Sequence, residues 1–400
     1  MVPSVHEEVP VPPDSFPRSV QDPRAPPPSL TCWALDQPDL IPAGERPFAK
    51  EIKLKTSWAR GAFVVGLLLM GGLPATSQAL QFTEREVTFR NGSVDLRGTL
   101  MLPAADGRHP AVVFLHGSGP ATRAGARSYA EEFAKLGVAS LFFDKRGSGE
   151  SGGSWTTSSL DDLAQDALAA VAHLKVEAGV DPERIGFWGV SQAAWVATLA
   201  ASRSQDIAFM ILISGGGATP RESEIFSYQQ AFEHAGLSEA EQAEAFSVLD
   251  DYFRYLATGE GRSALLARLE GARDSRWYPL ARLDRILPSE QNRLNWSWVA
   301  TWDPAPHVEK LKQPILLMFG DRDTDQPTAT AVARWREGLA KAGNDKVTLV
   351  IFPDAGHGIR MRTGTQGGDH TGGGRAPFAD GYTEVMLGWL WRHVVNARGE

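Results

Sequence analysis

The segment Phe187-Trp188-Gly189-Val190-Ser191-Gln192-Ala193 sets a serine between two runs of different character. The residues before it, Arg184-Ile185-Gly186-Phe187-Trp188, read as a strand, and the alanine-rich stretch 193–201 reads as a helix. A chain that turns from strand to helix at Gly-x-Ser-x-small forces its serine into a tight, strained conformation. The hydroxyl is then presented at the rim of the sheet, with the first amides of the helix aimed at the same spot. The chemistry that suits such a serine is nucleophilic attack on an acyl carbonyl. It also needs a base to take the hydroxyl proton, usually a histidine held in one tautomer by a carboxylate. A Gly-x-Ser-x-Ala match is made of common residues, so its meaning rests on finding those partners.

His357 lies in Pro353-Asp354-Ala355-Gly356-His357-Gly358, just after an apolar run ending at Phe352, and the glycine on each side allows a close approach to a sheet edge. His370 stands in the glycine-rich stretch 364–374 with no strand to position it, and His393 sits beside Trp391 in a helical pattern that suits packing or surface exposure. Three aspartates compete as the acid within Gly320-Asp321-Arg322-Asp323-Thr324-Asp325-Gln326-Pro327. The sequence His116-Gly117-Ser118-Gly119 follows another short apolar run and can turn sharply. Tetrahedral intermediates need two amides aimed at the developing oxyanion, each worth about 3 kcal/mol. The backbone N–H groups of Ser118 and Gln192 are the candidates, with an ordinary glycine turn as the alternative; the side chain of His116 is read as structural.

These residues require a frame, and the chain supplies an alternation of strand-like and helix-like segments. Strands are predicted over 86–89 and 94–102 around an Asn91-Gly92 turn, then over 111–115, 138–143, 184–188, 209–214, 314–319 and 346–352. Helices are predicted over 128–136, 160–176, 328–342 and 381–395. Short apolar runs separated by helices imply a mostly parallel sheet covered on both faces, an α/β fold. Residues 80–216 and 307–400 fit one such domain. The interval 217–306 breaks the alternation: it is helical, has the capping-box sequence Ser238-x-x-Glu241, and carries Trp277, Trp296, Trp298 and Trp302. It reads as a helical cap whose tryptophans line the substrate site, or else as an insertion whose tryptophans pack its own core.

The pieces HGSGP at 116–120, FDKRGSGESGG at 143–153, DPERIGFWGVSQA at 181–193, FGDRDTDQP at 319–327 and FPDAGHG at 352–358 together resemble bacterial α/β-hydrolases. The nearest resemblance is to esterases of the dienelactone-hydrolase-like and serine-aminopeptidase-like group, over about residues 85–395. Ala193 replaces the usual third glycine of the serine motif, and the 364–374 stretch is an addition beside the histidine loop. The family's order of nucleophile, acid, base leaves only His357, His370 and His393 after an acid, and favours His357. The family places its acid three residues after the glycine at position 320, which favours Asp323; Asp321 and Asp325 are then turn or cap residues. The Asp144-Lys145-Arg146-Gly147 turn matches the family's and reads as structural.

The resemblance implies a serine hydrolase acting on a small-molecule carboxylic ester, with no cofactor and no metal. A peptidase or amidase with the same triad is the alternative, in which Glu222, Glu224 or Asp250 would bind a substrate amine. A non-catalytic member of the fold that binds ligands is the alternative of another class. Composition narrows the setting. The 400 residues carry a net charge of −8, with no basic stripe to suggest nucleic acid. Residues 1–49 hold 12 of the 26 prolines and the single cysteine, Cys32, and read as a disordered extension or a mis-set translation start. Residues 50–79 have a basic flank, a short apolar core over 61–73 and small residues at Ser77 and Ala79, the parts of a signal peptide cut after Ala79. The apolar core is shorter than the ~20 residues a spanning helix needs. The expectation is a periplasmic or secreted protein with no stable membrane span after processing; the sequence leaves oligomeric state open.

Overall fold

A computed structural model describes residues 51–53, 82–361 and 376–397. The proline-rich extension, nearly all of the signal-peptide segment, and the glycine-rich stretch with His370 lie outside the described residues. Nine strands form one sheet: β1 (Glu51–Lys53), β2 (Phe82–Asn91), β3 (Val94–Pro103), β4 (His109–Leu115), β5 (Ala139–Phe143), β6 (Val180–Val190), β7 (Phe209–Ile213), β8 (Ile315–Gly320) and β9 (Val347–Phe352). Their spatial order is β1-β9-β8-β7-β6-β4-β5-β3-β2. β2 and β3 form an antiparallel hairpin about Gly92, which takes a left-handed φ of 58°, and β3 also runs antiparallel to β5. All other pairings are parallel. Strand β1 falls in a lysine-rich stretch that offers no strand pattern; it adds a three-residue edge beside β9.

The central strands are apolar throughout because both faces of the sheet are covered. On one face, Val113, Leu115, Phe187, Leu212 and Leu317 pack against α2 (Leu160–Lys175), α3 (Gln192–Ala201) and a later helix, Thr328–Ala342. On the other, Val112, Phe114, Trp188, Ile211 and Met318 meet α1 (Arg127–Lys135) and the C-terminal helix Tyr382–Leu390. Each wholly buried aliphatic or aromatic side chain contributes roughly 1.5–3 kcal/mol of transfer free energy. Between β7 and β8 the chain is helical, with α4 (Pro220–His234), α5 (Glu239–Thr258) and α6 (Arg262–Gly271) followed by short helical turns. Capping boxes at Thr219/Glu222 and Ser238/Glu241 start α4 and α5. These helices enclose a separate apolar core around Phe232, Tyr252, Phe253 and Leu256.

The turn after β5 is held from inside. The Asp144 carboxylate accepts from the backbone N–H groups of Arg123 (2.8 Å) and Glu150 (2.9 Å). Arg146 makes a two-pronged pair with Asp166 of α2, both contacts 2.6 Å, and the two side chains are 7% and 3% exposed. Removing one member leaves a buried charge unpaired. Asp166→Ala is therefore expected to lower unfolding free energy by about 3–5 kcal/mol, read as a lower urea midpoint; a midpoint unchanged from wild type would mean that the pair does not brace the turn.

Candidate active site

Ser191 sits where β6 becomes α3, with φ 62° and ψ −124°, a backbone conformation non-glycine residues avoid. Its surroundings impose this. The Ser191 N–H donates to the carbonyl of Ile213 at the end of β7 (2.9 Å), and its own carbonyl accepts from Ala194 (2.9 Å). A Cβ at Gly215 would lie 2.3 Å from the Ser191 carbonyl oxygen, and a Cβ at Gly189 would lie 2.4 Å from the Ala193 Cβ. The missing third glycine is thus absorbed by the first: with Gly189 bare, the turn accommodates a methyl at 193. The Ser191 side chain does not cap α3, so the hydroxyl is not spent on the helix it begins.

Asp323 follows β8 and His357 follows β9. The wholly buried Asp323 carboxylate lies 3.0 and 3.2 Å from His357 Nδ1, and its Oδ1 also accepts from the N–H groups of Asp325 (2.8 Å) and Gln326 (2.9 Å). Those two amides fix the carboxylate, and the carboxylate fixes the ring with Nε2 turned away. Asp321 acts elsewhere, because its Oδ1 accepts the Asp354 N–H (2.7 Å) and so bridges the acid loop to the histidine loop. The two loops touch closely enough that a Cβ on Gly320 would stand 2.2 Å from the Ala355 carbonyl oxygen. Asp325, Asp323 and His357 offer ligand atoms within 4.8 Å of one another. That spacing would suit a cation, but the Asp323 oxygens are already occupied in orienting the imidazole.

Ser214, which carries no motif of its own in the sequence, completes the frame. Its hydroxyl accepts the N–H of Gly358 (3.1 Å), while its own N–H donates to Met318 of β8 (2.8 Å). Ile213 and Ser214, neighbours at the end of β7, thereby hold the serine turn and the histidine loop respectively. The only signal for Ser214 is a weak one: a single serine between an apolar strand and three glycines.

The loop after β4 passes beside the serine: a Cβ on Gly117 would lie 3.8 Å from that of Ser191. His116 Nε2 donates to the Phe143 carbonyl (2.6 Å). Burial, aided by the charge of Lys145, brings the His116 pKa down to about 4, so the ring is a neutral structural donor. Lys145, expected from the sequence to be part of a structural turn, instead reaches this loop, donating to the carbonyls of Gly117 and Gly119 and to the side chain of Gln192.

The model of the alpha/beta hydrolase family matches residues 112–363, a span that contains the serine, the aspartate and the histidine. The chain belongs to this family. Over 134 residues it is 37% identical to the thiohydrolase aneE of Aspergillus aculeatus, covering 33% of this chain and 41% of that protein. It is 26% identical over 292 residues to the esterase EstD of Thermotoga maritima, covering 71% of this chain and 62% of that one. Each match spans less than two thirds of the relative. Among solved structures, the hydrolase GrgF from Penicillium sp. sh18 is similar at 19% identity and TM-score 0.49, covering 79% of this chain and all of that one.

Burial and contacts separate the tryptophans of the helical segment between β7 and β8. Trp277, expected to line the substrate site, is instead wholly buried in that segment's own apolar core. Trp302 stacks on His307, whose Nδ1 bonds Ser202, the residue after α3 at the end remote from Ser191. Trp296 donates from Nε1 to the Thr156 carbonyl (2.6 Å) and meets Trp155 edge-on, and Trp298 meets Trp195 of α3 in the same way. Trp277 is therefore a core residue, while the half-buried Trp296, Trp298 and Trp302 make contacts where this helical segment meets its neighbours. Of the carboxylates in the same segment, Glu222 is spent capping α4 and pairing with Arg334, and Asp250 pairs with Arg221 at the surface. Glu224 instead lies near Asp325 of the acid loop. Burial and the charge of Asp325 push its carboxyl up to about 7, against a hydrogen bond from Tyr228 that pulls it down.

Because Gly320 permits the acid and histidine loops to touch, Gly320→Ala is expected to displace His357 and reduce hydrolytic turnover about 10–100-fold in a protein with an unaltered circular dichroism spectrum. A folded variant with wild-type turnover would show that the loops have slack.

Proposed function

We propose that the protein is an exported serine hydrolase that cleaves carboxylic esters of small molecules. The observation that carries this reading is the buried Asp323 carboxylate on His357 Nδ1 (3.0 Å). It accompanies a serine held in a strained strand-to-helix turn. In this reading His357 Nε2 takes the Ser191 proton as Oγ attacks the acyl carbonyl. Asp323 stabilises the resulting imidazolium, and the Ser118 and Gln192 N–H groups receive the oxyanion. His357 then protonates the leaving alkoxide, and a water activated by the same ring releases the acid from the acyl-enzyme. None of these steps calls on a metal or an organic cofactor. The names of the two relatives, an esterase and a thiohydrolase, both denote hydrolysis and support this choice of reaction.

Glu224 favours a second reading, a peptidase or amidase with the same triad. A half-ionised carboxyl beside Asp325 would suit a substrate amine. Export rests on the signal-peptide pattern of residues 50–79. Cleavage after Ala79 would remove β1 and leave an eight-stranded sheet with β9 as its edge, so the catalytic frame would persist. An N-terminus at Leu80 in secreted protein supports this, and one near Met1 defeats it.

The hydrolase reading predicts covalent labelling of Ser191 by a fluorophosphonate, seen as an adduct by mass spectrometry, and its loss in Ser191→Ala with the fold intact. Folded wild-type protein that takes no label would leave a ligand-binding member of the fold. Asp323→Asn is expected to lower kcat about ten-thousandfold. Faster turnover of an aminoacyl anilide than of the matching ester would select the amidase reading.

A further inference from the structure

Lys145 follows Asp144 at the end of β5 and is 3% exposed. An ammonium has three N–H donors and no acceptor, and here all three go to neutral oxygens: Gly117 O at 2.8 Å, Gly119 O at 3.0 Å and Gln192 Oε1 at 2.9 Å. Burying a lysine without giving it a carboxylate is costly, and the turn does not need it, since Asp144, Arg146 and Asp166 already brace that segment. The three acceptors have a common property. Gly117 and Gly119 bracket Ser118, and Gln192 is the residue whose backbone amide is the other oxyanion donor.

The consequence follows from peptide geometry. No described peptide bond is cis, and in a planar trans peptide the C=O and the following N–H point in opposite directions. Drawing the Gly117 carbonyl inward to Lys145 therefore turns the Ser118 N–H outward, on the side away from the ammonium. Glycines at 117 and 119, the latter at φ 79°, leave this peptide free to rotate if nothing holds it.

We propose that Lys145 is a positioning residue: it locks the Ser118 peptide and the Gln192 turn in the orientation that receives the oxyanion, and sets a positive charge behind both. This rests on the serine-hydrolase reading. The titratable groups that act on the ammonium are His116 and Asp166, the latter paired with Arg146. Desolvation brings the Lys145 pKa down to about 8, with Asp166 opposing it. Above that pH two donors remain for three acceptors.

The test compares wild type with Lys145→Met, which keeps the stem and removes the donors. The readouts are ester turnover, inhibition by a trifluoromethyl ketone that forms a tetrahedral adduct on serine, and melting temperature. For a folded variant, kcat is expected to fall about 100–1,000-fold, with ketone affinity falling in parallel and KM within about threefold, because Lys145 acts on the intermediate and not on bound substrate. A folded variant with unchanged kcat, or with KM raised and ketone affinity kept, overturns the inference. Should the variant not fold, wild-type kcat measured from pH 7 to 10 decides: a fall centred near pH 8 supports it, and a flat profile overturns it. Wild type that neither turns over ester nor takes a fluorophosphonate would instead defeat the hydrolase reading itself.

Discussion

The backbone of Ser191, at φ 62°, is the constraint on which the rest of the site depends. A side-chain-bearing residue there costs roughly 1–3 kcal/mol and persists only where its neighbours leave no alternative. They leave none. β7 takes its N–H, α3 takes its carbonyl, and the backbone at Gly189 and Gly215 presses so close that neither position has room for a Cβ. The parallel sheet thus does more than support the serine. It stores strain at one residue and delivers a hydroxyl that no helix bond consumes.

The remaining parts arrive by the same rule. β4, β5, β6, β8 and β9 each end at the same edge of the sheet, where parallel α/β sheets gather their functional loops. One end brings the glycine loop, the next Lys145, then the serine, the aspartate and the histidine. β7 gives no reacting group, yet its last residue and the serine after it hold the two loops that must meet. Precision at this edge comes from contacts to glycine backbone: Gly320 against the Ala355 carbonyl, Gly358 against the Ser214 hydroxyl, Gly117 against the Lys145 ammonium. Glycine is used where another chain segment must come close.

Much of this is legible in the sequence because it is local. Ser191, Asp323 and His357 each follow a strand and lie among glycines or turn formers, so short motifs mark them. The apolar runs mark the central strands because both faces are buried. Ser214 and Lys145 are not legible, since their partners lie far away in the chain and nothing near them announces a role. Lys145 even misleads, standing in a turn whose neighbours Asp144 and Arg146 are structural. Trp277 misleads for another reason. Large aromatic residues look the same in sequence whether they face a ligand or a core, and only burial separates Trp277 from a pocket wall. Strand β1 has three residues in a basic stretch, too few to show a period.

The histidine follows β9, the last strand in chain order among the described residues. Chains are synthesised from the N-terminus, and domains form in that direction. A growing chain would therefore hold the strained serine and its glycine loop well before it held the histidine proposed as the base. In the proposed hydrolase the order of the strands would act as a timer, keeping the serine without its base until β9 has been made.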